Sequence, residues 1–299
     1  MIDFRLHTFL SVYRLRSFTR SAEALFVTQP AVTQHIRHLE AELGVKLFEV
    51  KGRTVRPTEA AGILKDYAES VEADARRTRE RMLAVQSRKD LRFGATRTIG
   101  EFLMPRFIAR WLADYPDSQA SLAVDNTDAL LRELDRGTLD FLCVEGRFDR
   151  DSYTARTLCS SPMAFVCPPE HPLARKSAQI EELLSETFIA REQGSGGRML
   201  VEDFLGSRNL SLKSFSRCLE IGSIGAAKDL VRRGCGIAVL YEISVEQEIR
   251  SGALARIDVR DFSIVHDFTF ACKKNTLYEK DFSDFFAYCS NMLSSGQYL

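Results

Sequence analysis

The sequence predicts a winged helix-turn-helix at the N-terminus, one long linker helix after it, and a C-terminal α/β domain with two lobes. Three patterns in the 299 residues indicate this order. Residues 1–58 hold short helical segments and a basic hairpin, residues 59–89 are free of proline and repeat apolar side chains, and residues 90–299 alternate strand and helix patterns. A prior of roughly 150 residues per domain also favours more than one domain.

The composition is that of a globular protein, with 45% apolar and 27% charged residues. The 41 basic and 41 acidic side chains cancel, which excludes a strongly basic or strongly acidic protein. The charges are unevenly placed: residues 1–60 carry +3 from nine basic and six acidic side chains, residues 61–90 carry +1, and the remainder carries −4. A basic head of this size is informative only together with a nucleic-acid motif.

Several features that the sequence lacks constrain location and redox chemistry. No apolar run approaches the roughly 18 residues of a membrane span, and the first residues carry no secretory signal, so we expect a cytoplasmic protein without a membrane partner. The seven cysteines include no C-x-x-C pair, which disfavours a zinc site and a disulfide framework. We expect them to be small buried side chains, with redox sensing left open for Cys143, Cys159, Cys167 and Cys218.

The head predicts three helices. Residues 3–16 are rich in apolar side chains, and Thr19 is the predicted N-cap of a second, short helix. Thr28 is the predicted cap of a third helix, where Pro30 is tolerated in the first turn because its missing N–H has no helical partner there. This helix is expected to end at Gly44. Its predicted buried residues are Val32, Ile36, Leu39 and Leu43.

The outer face of the third helix is polar, which is typical of a DNA-reading helix. Its side chains are short or forked hydrogen-bonding groups that suit base edges and phosphates: Gln29, Thr33, Gln34 and Arg37. A hairpin centred on Lys51-Gly52 is predicted to follow as a wing, whose cations suit phosphates. The alternative is a three-helix packing unit with solvated charges.

Ordered motifs in the head carry a resemblance to a known family. They are Phe9-x-x-Val12, Ser17-Phe18-Thr19-x-Ser21-Ala22-x-x-Leu25, Thr28-Gln29-Pro30-Ala31-Val32-Thr33, Ile36-x-x-Leu39-Glu40 and Leu43-Gly44-x-x-Leu47-Phe48. This spacing resembles the LysR-type transcriptional regulators. The resemblance extends over nearly the whole chain and implies a winged helix-turn-helix, a dimerising linker helix and a C-terminal effector domain of the periplasmic-binding-protein type. It also implies a double-stranded DNA operator, assembly as a dimer or tetramer, and RNA polymerase as a partner of an activator.

The resemblance also implies which residues contact DNA. By motif, they are Gln29, Pro30, Ala31, Thr33, Gln34 and Arg37. The predicted DNA contacts also include Ser17, Thr19 and Thr28 in the helix-turn-helix, and Lys51, Arg53 and Arg56 of the basic hairpin. Two positions depart from the family pattern. Val50 stands where arginine is usual, which leaves a wing phosphate contact to Lys51 or Arg53. Ala61 stands where glycine is usual, and alanine favours helix by about 1 kcal/mol.

The linker helix carries an apolar seam. Its spacings of three and four are heptad-like, which predicts pairing with a second copy of the chain. The seam consists of Leu64, Tyr67, Val71, Ala75, Thr78, Met82 and Val85. Two paired heads would read two half-sites of a roughly symmetric operator. The alternative is packing of the seam against the chain's own body.

Residues beyond 90 alternate strands and helices, which predicts a mainly parallel sheet with helices on its faces. The predicted strands are 91–95, 122–124, 141–144, 187–190, 219–221, 237–240 and 268–272. The predicted helices include 127–136, 199–206, 225–233 and 281–293, and Thr98 and Glu101 have the spacing of a capping box for a helix that ends before Pro116. With strands exchanged at the hinge, as in the family, lobe I is expected at about 90–161 and 268–299 and lobe II at about 162–267.

Three polar, glycine-marked loops lie after a predicted strand and before a helix: 96–100, 191–198 and 222–225. Ligands of open α/β sheets bind at such strand ends, and helix N-termini favour anions. The predicted effector-binding residues are Thr96, Arg97, Thr98, Gly100, Gly194, Ser195, Gly196 and Ser223. Arg97, Arg191 and Arg198 are candidates to reinforce an anion, and ordinary turn and cap chemistry is the alternative.

An enzyme is the competing class. Ser195 lacks the G-x-S-x-G elbow, His171 and His266 have no spacing to a nucleophile or metal, and the loop at 194–197 lacks the P-loop lysine. We therefore expect no catalytic residue, metal or cofactor. A solute-binding carrier with the same lobes is disfavoured by the head and the missing signal. The expected function is DNA-binding transcriptional regulation controlled by a small, anionic effector held between the lobes.

Overall fold

The computed structural model describes residues 3–51, 54–83, 90–146, 148–274, 276 and 279–295. The chain divides into two compact units, one built mainly from residues 1–87 and the other mainly from 88–299. The helices are α1 Phe4–Leu15, α2 Phe18–Ala24, α3 Gln29–Leu43, α4 Glu59–Leu83, α5 Met104–Asp114, α6 Thr127–Asp135, α7 Gly196–Gly206, α8 Ile224–Arg232, α9 Glu242–Ser251 and α10 Glu279–Ser294. The strands are β1 Phe48–Lys51, β2 Thr54–Pro57, β3 Leu91–Ala95, β4 Ala120–Val124, β5 Phe141–Val144, β6 Tyr153–Cys167, β7 Ser177–Ala178, β8 Thr187–Arg191, β9 Arg217–Ile221, β10 Ile237–Tyr241, β11 Ala255–Val259 and β12 Val265–Lys273.

Side-chain caps set the helix starts in the head. Thr28 caps α3 as predicted, and its Oγ1 accepts the Ala31 N–H at 3.4 Å. The predicted cap of α2 is wrong. Ser17 is extended and its Oγ accepts the Arg20 N–H at 3.2 Å, so Thr19 lies inside the first turn. Ser17 takes the cap because the chain is already helical from Phe18 onward.

The head core is formed by α1, the inner face of α3 and the wing. Its buried members include Phe9, Leu10, Val32, Ile36, Leu39, Leu47 and Phe48, all at most 6% exposed. Leu43, predicted to be buried, is 46% exposed, because it occupies the last residue of α3 before the left-handed Gly44. Glu40 ties α3 to the wing, since its Oε1 accepts the Leu47 N–H at 2.8 Å.

The hairpin after α3 forms as predicted. Strands β1 and β2 pair antiparallel from Phe48–Pro57 to Lys51–Thr54. Lys51 belongs to β1 and not to the turn on which the prediction centred it. Residues 52 and 53, which include the candidate Arg53, lie outside the described residues.

The long helix α4 is capped by Thr58, whose Oγ1 accepts the Ala61 N–H at 3.2 Å. Ala61 is fully buried against the head core, and Leu64 packs partly buried on the same core. Leu64 therefore does not share one open seam with Tyr67 and Met82, which are 61% and 64% exposed. The seam as a dimer contact stays a prediction, and Val85 lies outside the described residues.

The second unit is built on one mixed sheet with the strand order β4-β3-β5-β12-β6-β10-β8-β9. Strands β3, β4 and β5 run parallel in lobe I, and β8, β9 and β10 run parallel in lobe II. The two lobes share β6. Its first part pairs with β12 up to Pro162, and its second part pairs with β10 from Met163 onward. Strand β6 was not predicted, because Pro162 interrupts its sequence pattern, whereas in the fold Pro162 marks the point at which the strand changes partner.

Other elements of this unit differ from prediction at their ends. The capping box at Thr98 is wrong, because Thr98 is helical and makes no cap bond, whereas the Thr96 carbonyl accepts the Gly100 N–H at 2.7 Å. A π-helical turn, Ile99–Leu103, then leads into α5. Helix α7 begins at Gly196, three residues before its predicted start at Met199. Helix α9 and strands β7 and β11 were not predicted.

The cysteines are all free thiols. Cys143, Cys167, Cys272 and Cys289 are buried, as predicted. Cys218 and Cys235 are exposed, so the prediction of burial is wrong for them: one lies on the edge strand β9 and the other on the turn after α8. Burial raises the pKa of the half-buried Cys159 to about 11. In the described part of the chain, no helix has the length and apolar character to span a membrane.

Candidate functional site

The first turns of α3 present the predicted DNA-reading residues to solvent. Gln29, Pro30, Gln34 and Arg37 are exposed, and Ala31 and Thr33 are half-buried beside them. Spacings of three and four place the polar members on one face of the helix. The Gln29 Nε2 donates to the Thr33 Oγ1 at 2.9 Å, so these two side chains are held together at the tip of this face.

The remaining predicted DNA contacts surround that tip in different environments. Thr19 and Thr28 are exposed, whereas Ser17 is half-buried and engaged as the cap of α2. Arg56 is exposed on β2 of the wing. The side chain of Lys51 and the whole of Arg53 lie outside the described residues.

Phe26 is a surface residue that the sequence analysis missed. It is 96% exposed, has φ = 55°, and lies two positions before the Thr28 cap. Its neighbour Val27 is 41% exposed. A left-handed backbone is uncommon for an aromatic residue. The available signal was an apolar Phe-Val pair in the turn between α2 and α3.

A second candidate site lies at the strand ends of the α/β unit. A narrow cavity that opens to solvent has walls from both lobes. Its lining residues are Thr98, Met163, Arg191, Ser195, Gly197, Ile224, Val239, Leu240, Tyr241 and Ser244. Arg191 and Tyr241 are the last residues of β8 and β10, so the cavity has the strand-end position predicted for an effector.

Four of the eight predicted effector residues are Thr98, Ser195, Gly196 and Ser223, and they have different positions relative to the cavity. Thr98 and Ser195 line the cavity. Gly196 adjoins it and starts α7, and a Cβ at this position would lie 3.2 Å from the Glu145 Cγ. Ser223 caps α8, since its Oγ accepts the Ala226 N–H at 3.3 Å.

The two other glycines have different reasons to be glycine. Gly100 is a packing position, because a Cβ there would lie 2.8 Å from the Val124 Cγ2. Gly194 is an exposed turn residue with φ = 87°. Neither is among the residues that line the cavity.

Two arginines converge on one carboxylate beside the cavity. Arg191, 8% exposed, donates to both Glu192 carboxylate oxygens at 2.9 and 3.0 Å. Arg97 reaches from lobe I to lobe II. Its Nε lies 3.5 Å from the Glu192 Oε1, and its Nη1 donates to the Gly222 carbonyl at 2.8 Å. Arg198 points elsewhere, toward Glu202 and Glu220.

A buried carboxyl group abuts the same cavity. Glu145 follows β5, is 5% exposed, and its Oε1 accepts the Thr98 hydroxyl at 3.4 Å. Its Oε2 has no hydrogen-bond partner among the residues that the structure describes. Burial raises the pKa of Glu145 to about 7, and the charge of Arg191 only partly offsets that rise.

Two hydroxyl groups share this environment. The Tyr241 hydroxyl and the Thr96 Oγ1 are buried without a hydrogen-bond partner in the described part of the chain. Thr96 nevertheless lies near enough to Glu145 to lower the pKa of that carboxyl. The sequence analysis missed Glu145 and Tyr241, and the only signal was a polar residue directly after a buried strand.

The side chains at the cavity are suited to polar binding. In the ranges that the structure describes, no group of three or more His, Cys, Asp or Glu side chains is placed to hold a metal ion. The cavity is lined by the Arg191 guanidinium, by Gly197 in the first turn of α7, and by Tyr241, whose hydroxyl has no hydrogen-bond partner in the described part of the chain. Such a set can hold a small polar ligand through hydrogen bonds and charge.

Two family models and a well-covered relative match this chain. The family model described as "LysR substrate binding domain" matches residues 84–294, and "Bacterial regulatory helix-turn-helix protein, lysR family" matches residues 4–62. The HTH-type transcriptional activator CmpR of Synechocystis sp. is 33% identical over 264 residues, which cover 87% of this chain and 85% of CmpR.

Solved structures agree with these matches. The Synechocystis PCC6803 CcmR regulatory domain in complex with 2-PG is 25% identical, with a TM-score of 0.61, over 68% of this chain and 96% of that domain. A full-length OxyR variant from Pseudomonas aeruginosa, at 22% identity and a TM-score of 0.64, shares the fold over 97% of this chain and 94% of its own. The chain therefore belongs to the LysR family, as a transcriptional regulator with a helix-turn-helix DNA-binding domain and a C-terminal effector-binding domain.

Proposed function

We propose that this regulator is controlled by a small anionic effector that binds in the cavity between the two lobes. The observation that carries the proposal is that the Tyr241 hydroxyl and the Glu145 Oε2, both buried beside the Arg191 guanidinium, have no hydrogen-bond partner in the described part of the chain. Unmet hydrogen-bonding groups in a buried site are costly unless a ligand or water completes them. The CcmR regulatory domain, a similar structure, is in complex with 2-PG.

The charges around the cavity favour a negatively charged ligand. Arg191 lines the cavity, and Gly196 places the first turn of α7, with its unpaired N–H groups, at the same wall. Glu192 neutralises Arg191 without a ligand, at 2.9 Å. An anion that enters the cavity competes with Glu192 for the Arg191 guanidinium. Binding of the anion therefore requires the Glu192 contacts to rearrange.

The same contacts link the cavity to the relative position of the lobes. Arg97 on lobe I bonds to Gly222 and faces Glu192, both on lobe II. A ligand that redirects Glu192 therefore alters the bridge between the lobes. Because linkage is reciprocal, an effector that changes operator affinity has its own affinity changed by operator DNA to the same extent.

At the head, we propose that the exposed face of α3 reads the major groove and that the wing contacts phosphates. The predicted DNA contacts named above are the candidate residues, with Arg37 and Gln34 at their centre. We propose further that α4 joins two copies through exposed apolar side chains such as Ile63, Tyr67 and Met82. A dimer presents two reading helices to two half-sites. We also propose assembly into tetramers and contact with RNA polymerase. We propose no catalytic role.

Two measurements test this function. Genomic fragments selected on the purified full chain identify an operator. The affinity for that operator and the length of DNA protected are then measured with and without 2-PG or sulfate. We expect the anion to raise the melting temperature and to change operator affinity or the protected length. An anion that binds but leaves both DNA properties unchanged contradicts the proposed control.

A further inference from the structure

We propose that Glu145 is the proton acceptor of the effector site: its carboxylate takes up one proton from solvent when an anionic effector binds, and the neutral acid then donates a hydrogen bond to that effector. The inference rests on the proposed function. It adds a regulatory input, since the strength of effector binding then depends on pH. One proton is gained by the Glu145 carboxylate, and the effector itself is unchanged.

Glu145 packs directly behind the wall of the cavity and is not itself one of the lining residues. Its Oε1 contacts the Thr98 hydroxyl at 3.4 Å, and Thr98 lines the cavity. A Cβ on Gly196 would lie 3.2 Å from the Glu145 Cγ, so the acid also abuts the first turn of α7. Its Oε2 is buried and has no partner in the described part of the chain. The Glu145 Oε2 is therefore the atom that can take up a proton and then donate a hydrogen bond to a ligand.

The groups that face Glu145 leave little positive charge to hold it ionised. They are Arg191 at the end of β8, Glu192 after it, Tyr241 at the end of β10, and His266 on β12, whose Nε2 lies 2.5 Å from the Glu145 carbonyl oxygen. Arg191 donates to Glu192 at 2.9 and 3.0 Å, so the charge of Arg191 is already neutralised by a carboxylate other than Glu145. The Tyr241 hydroxyl keeps its proton, because burial raises its pKa.

A charge count gives the direction of the proton transfer. Arg97 does not face Glu145 but lies 3.5 Å from Glu192, so it is counted with that carboxylate. With Glu145 ionised, Arg97 and Arg191 then balance Glu145 and Glu192, and the four groups together are neutral. An added anion then leaves an uncompensated negative charge in a buried site, which is strongly unfavourable. One proton on Glu145 removes that charge. The pKa of about 7 makes this proton available near neutral pH, and a nearby anion raises that pKa further.

A ligand with an ammonium group is the competing case, and it predicts the opposite sign. A cation pairs with ionised Glu145 and lowers its pKa, so the complex releases a proton on formation. The sign of proton exchange on binding therefore discriminates between the two ligand classes. The number of protons exchanged per ligand bound measures the change in protonation of Glu145.

Calorimetry of the full chain with 2-PG, and separately with sulfate, tests the inference. Each titration is repeated at pH 7, pH 8 and pH 9 in buffers of different ionisation enthalpy, so the buffer dependence of the heat counts protons. We expect uptake that approaches one proton at pH 8, and an affinity that falls by about tenfold per pH unit above pH 8. Glu145→Gln is expected to show neither the uptake nor the pH dependence. Glu101→Gln changes an exposed carboxylate in the neighbouring turn and is expected to behave as the wild type.

The outcomes separate two failures. Binding of 2-PG or sulfate without proton uptake, with proton release, or with uptake that persists in Glu145→Gln overturns the role of Glu145 and leaves the anion site standing. Absence of binding of both anions by the wild type overturns the proposed anion site, and the inference falls with it. Uptake that is confined to chains with Glu145 supports both.

Discussion

The Arg97 guanidinium lies 3.5 Å, from Nε to Oε1, from the Glu192 carboxylate on the opposite lobe. Glu192 also accepts two hydrogen bonds from Arg191, so one carboxylate neutralises both arginines at the cavity. The arrangement resembles an occupied anion site in which the anion is a side chain of the protein. It makes Glu192 the residue that an anionic effector has to displace or share.

Glu192→Gln is expected to strengthen anion binding. Removal of the internal carboxylate frees the charge of Arg191, which is 8% exposed and lines the cavity. An ion pair of this kind is worth roughly 1 kcal/mol, which corresponds to about threefold to tenfold in the dissociation constant for sulfate or 2-PG, measured by calorimetry. Glu202→Gln, which removes a more exposed partner of Arg198, is the control and leaves the constant unchanged. A weaker affinity in Glu192→Gln contradicts competition and assigns Glu192 to the positioning of Arg191.

The helix cap found at Ser17 is tested by local stability. Ser17→Ala removes the acceptor for the Arg20 N–H, and loss of such a cap costs about 1 kcal/mol. Amide hydrogen exchange across Phe18–Ala24, followed by mass spectrometry, is expected to be about fivefold faster in this variant. Thr19→Ala removes no cap bond and is expected to leave exchange unchanged. Faster exchange in Thr19→Ala than in Ser17→Ala would assign the cap to Thr19 instead.

The sequence predicted the elements whose signals are local. Thr28 with Pro30, the paired wing strands and β5 all depend on neighbouring residues, and the structure has them where they were predicted. The family resemblance, the fold class and the assignment as a DNA-binding regulator are confirmed by the family models. Long-range choices were not predictable in this way. Pro162 reads as a break in isolation, and only pairing with β12 and β10 makes the strand continuous.

The candidate site was predictable in part for the same reason. The loops with Thr98 and Ser195 carry glycine and hydroxyl signals, and both residues line the cavity. Glu145 carries no motif, and its properties come from burial by Thr98 and the start of α7, which are distant in sequence. The direction of Arg97 also depends on tertiary contacts, because its partners are Glu192 and Gly222. The assignments of DNA and effector contacts stay predictions.

Arg37→Ala and Gln34→Ala are each expected to abolish specific operator binding. Both side chains are exposed on α3, and loss of a forked base or phosphate contact costs about 1–3 kcal/mol per site, which a dimer doubles. Fluorescence anisotropy with the selected operator measures the effect, and sedimentation is expected to show unchanged assembly. Arg14→Ala, which removes the same charge from α1, is the control. Operator binding of wild-type strength in both variants would remove α3 from the reading role.

Phe26→Ala is expected to weaken operator binding while the stability of the head is unchanged. The ring is 96% exposed beside the Thr28 cap, so its loss costs little packing, whereas an apolar side chain at this place is suited to a thymine methyl group. We expect about a fivefold to tenfold loss of affinity for the operator, measured by anisotropy, and an unchanged melting temperature. Leu43→Ala, at the opposite end of α3 and 46% exposed, is the matched control. Equal operator affinity in wild type and Phe26→Ala would exclude a contact of the ring with DNA.

The stability of the ligand-free effector domain is expected to fall as pH rises from about 4.5 to above 7, and Glu145 is the cause. The pKa of Glu145 in the folded chain is about 7, against an ordinary value of 4.5. Because the folded value is raised, the stabilising contribution is complete below pH 4.5 and is lost as pH rises through 7. A shift of this size corresponds to roughly 3 kcal/mol. Urea denaturation of the full chain, followed at the C-terminal domain, measures it at several pH values.

The comparison with Glu145→Gln isolates this contribution from the other carboxylates. The amide cannot ionise, so the free energy of unfolding of the variant, relative to the wild type, is expected to rise by up to about 3 kcal/mol between pH 4.5 and 8 and then to level off. Glu101→Gln, with an exposed carboxylate, is expected to show a constant difference. A constant difference for Glu145→Gln as well would mean that Glu145 titrates as an ordinary carboxylate. The proton uptake proposed for effector binding would then lose its physical basis, because an ordinary carboxylate holds no proton near neutral pH.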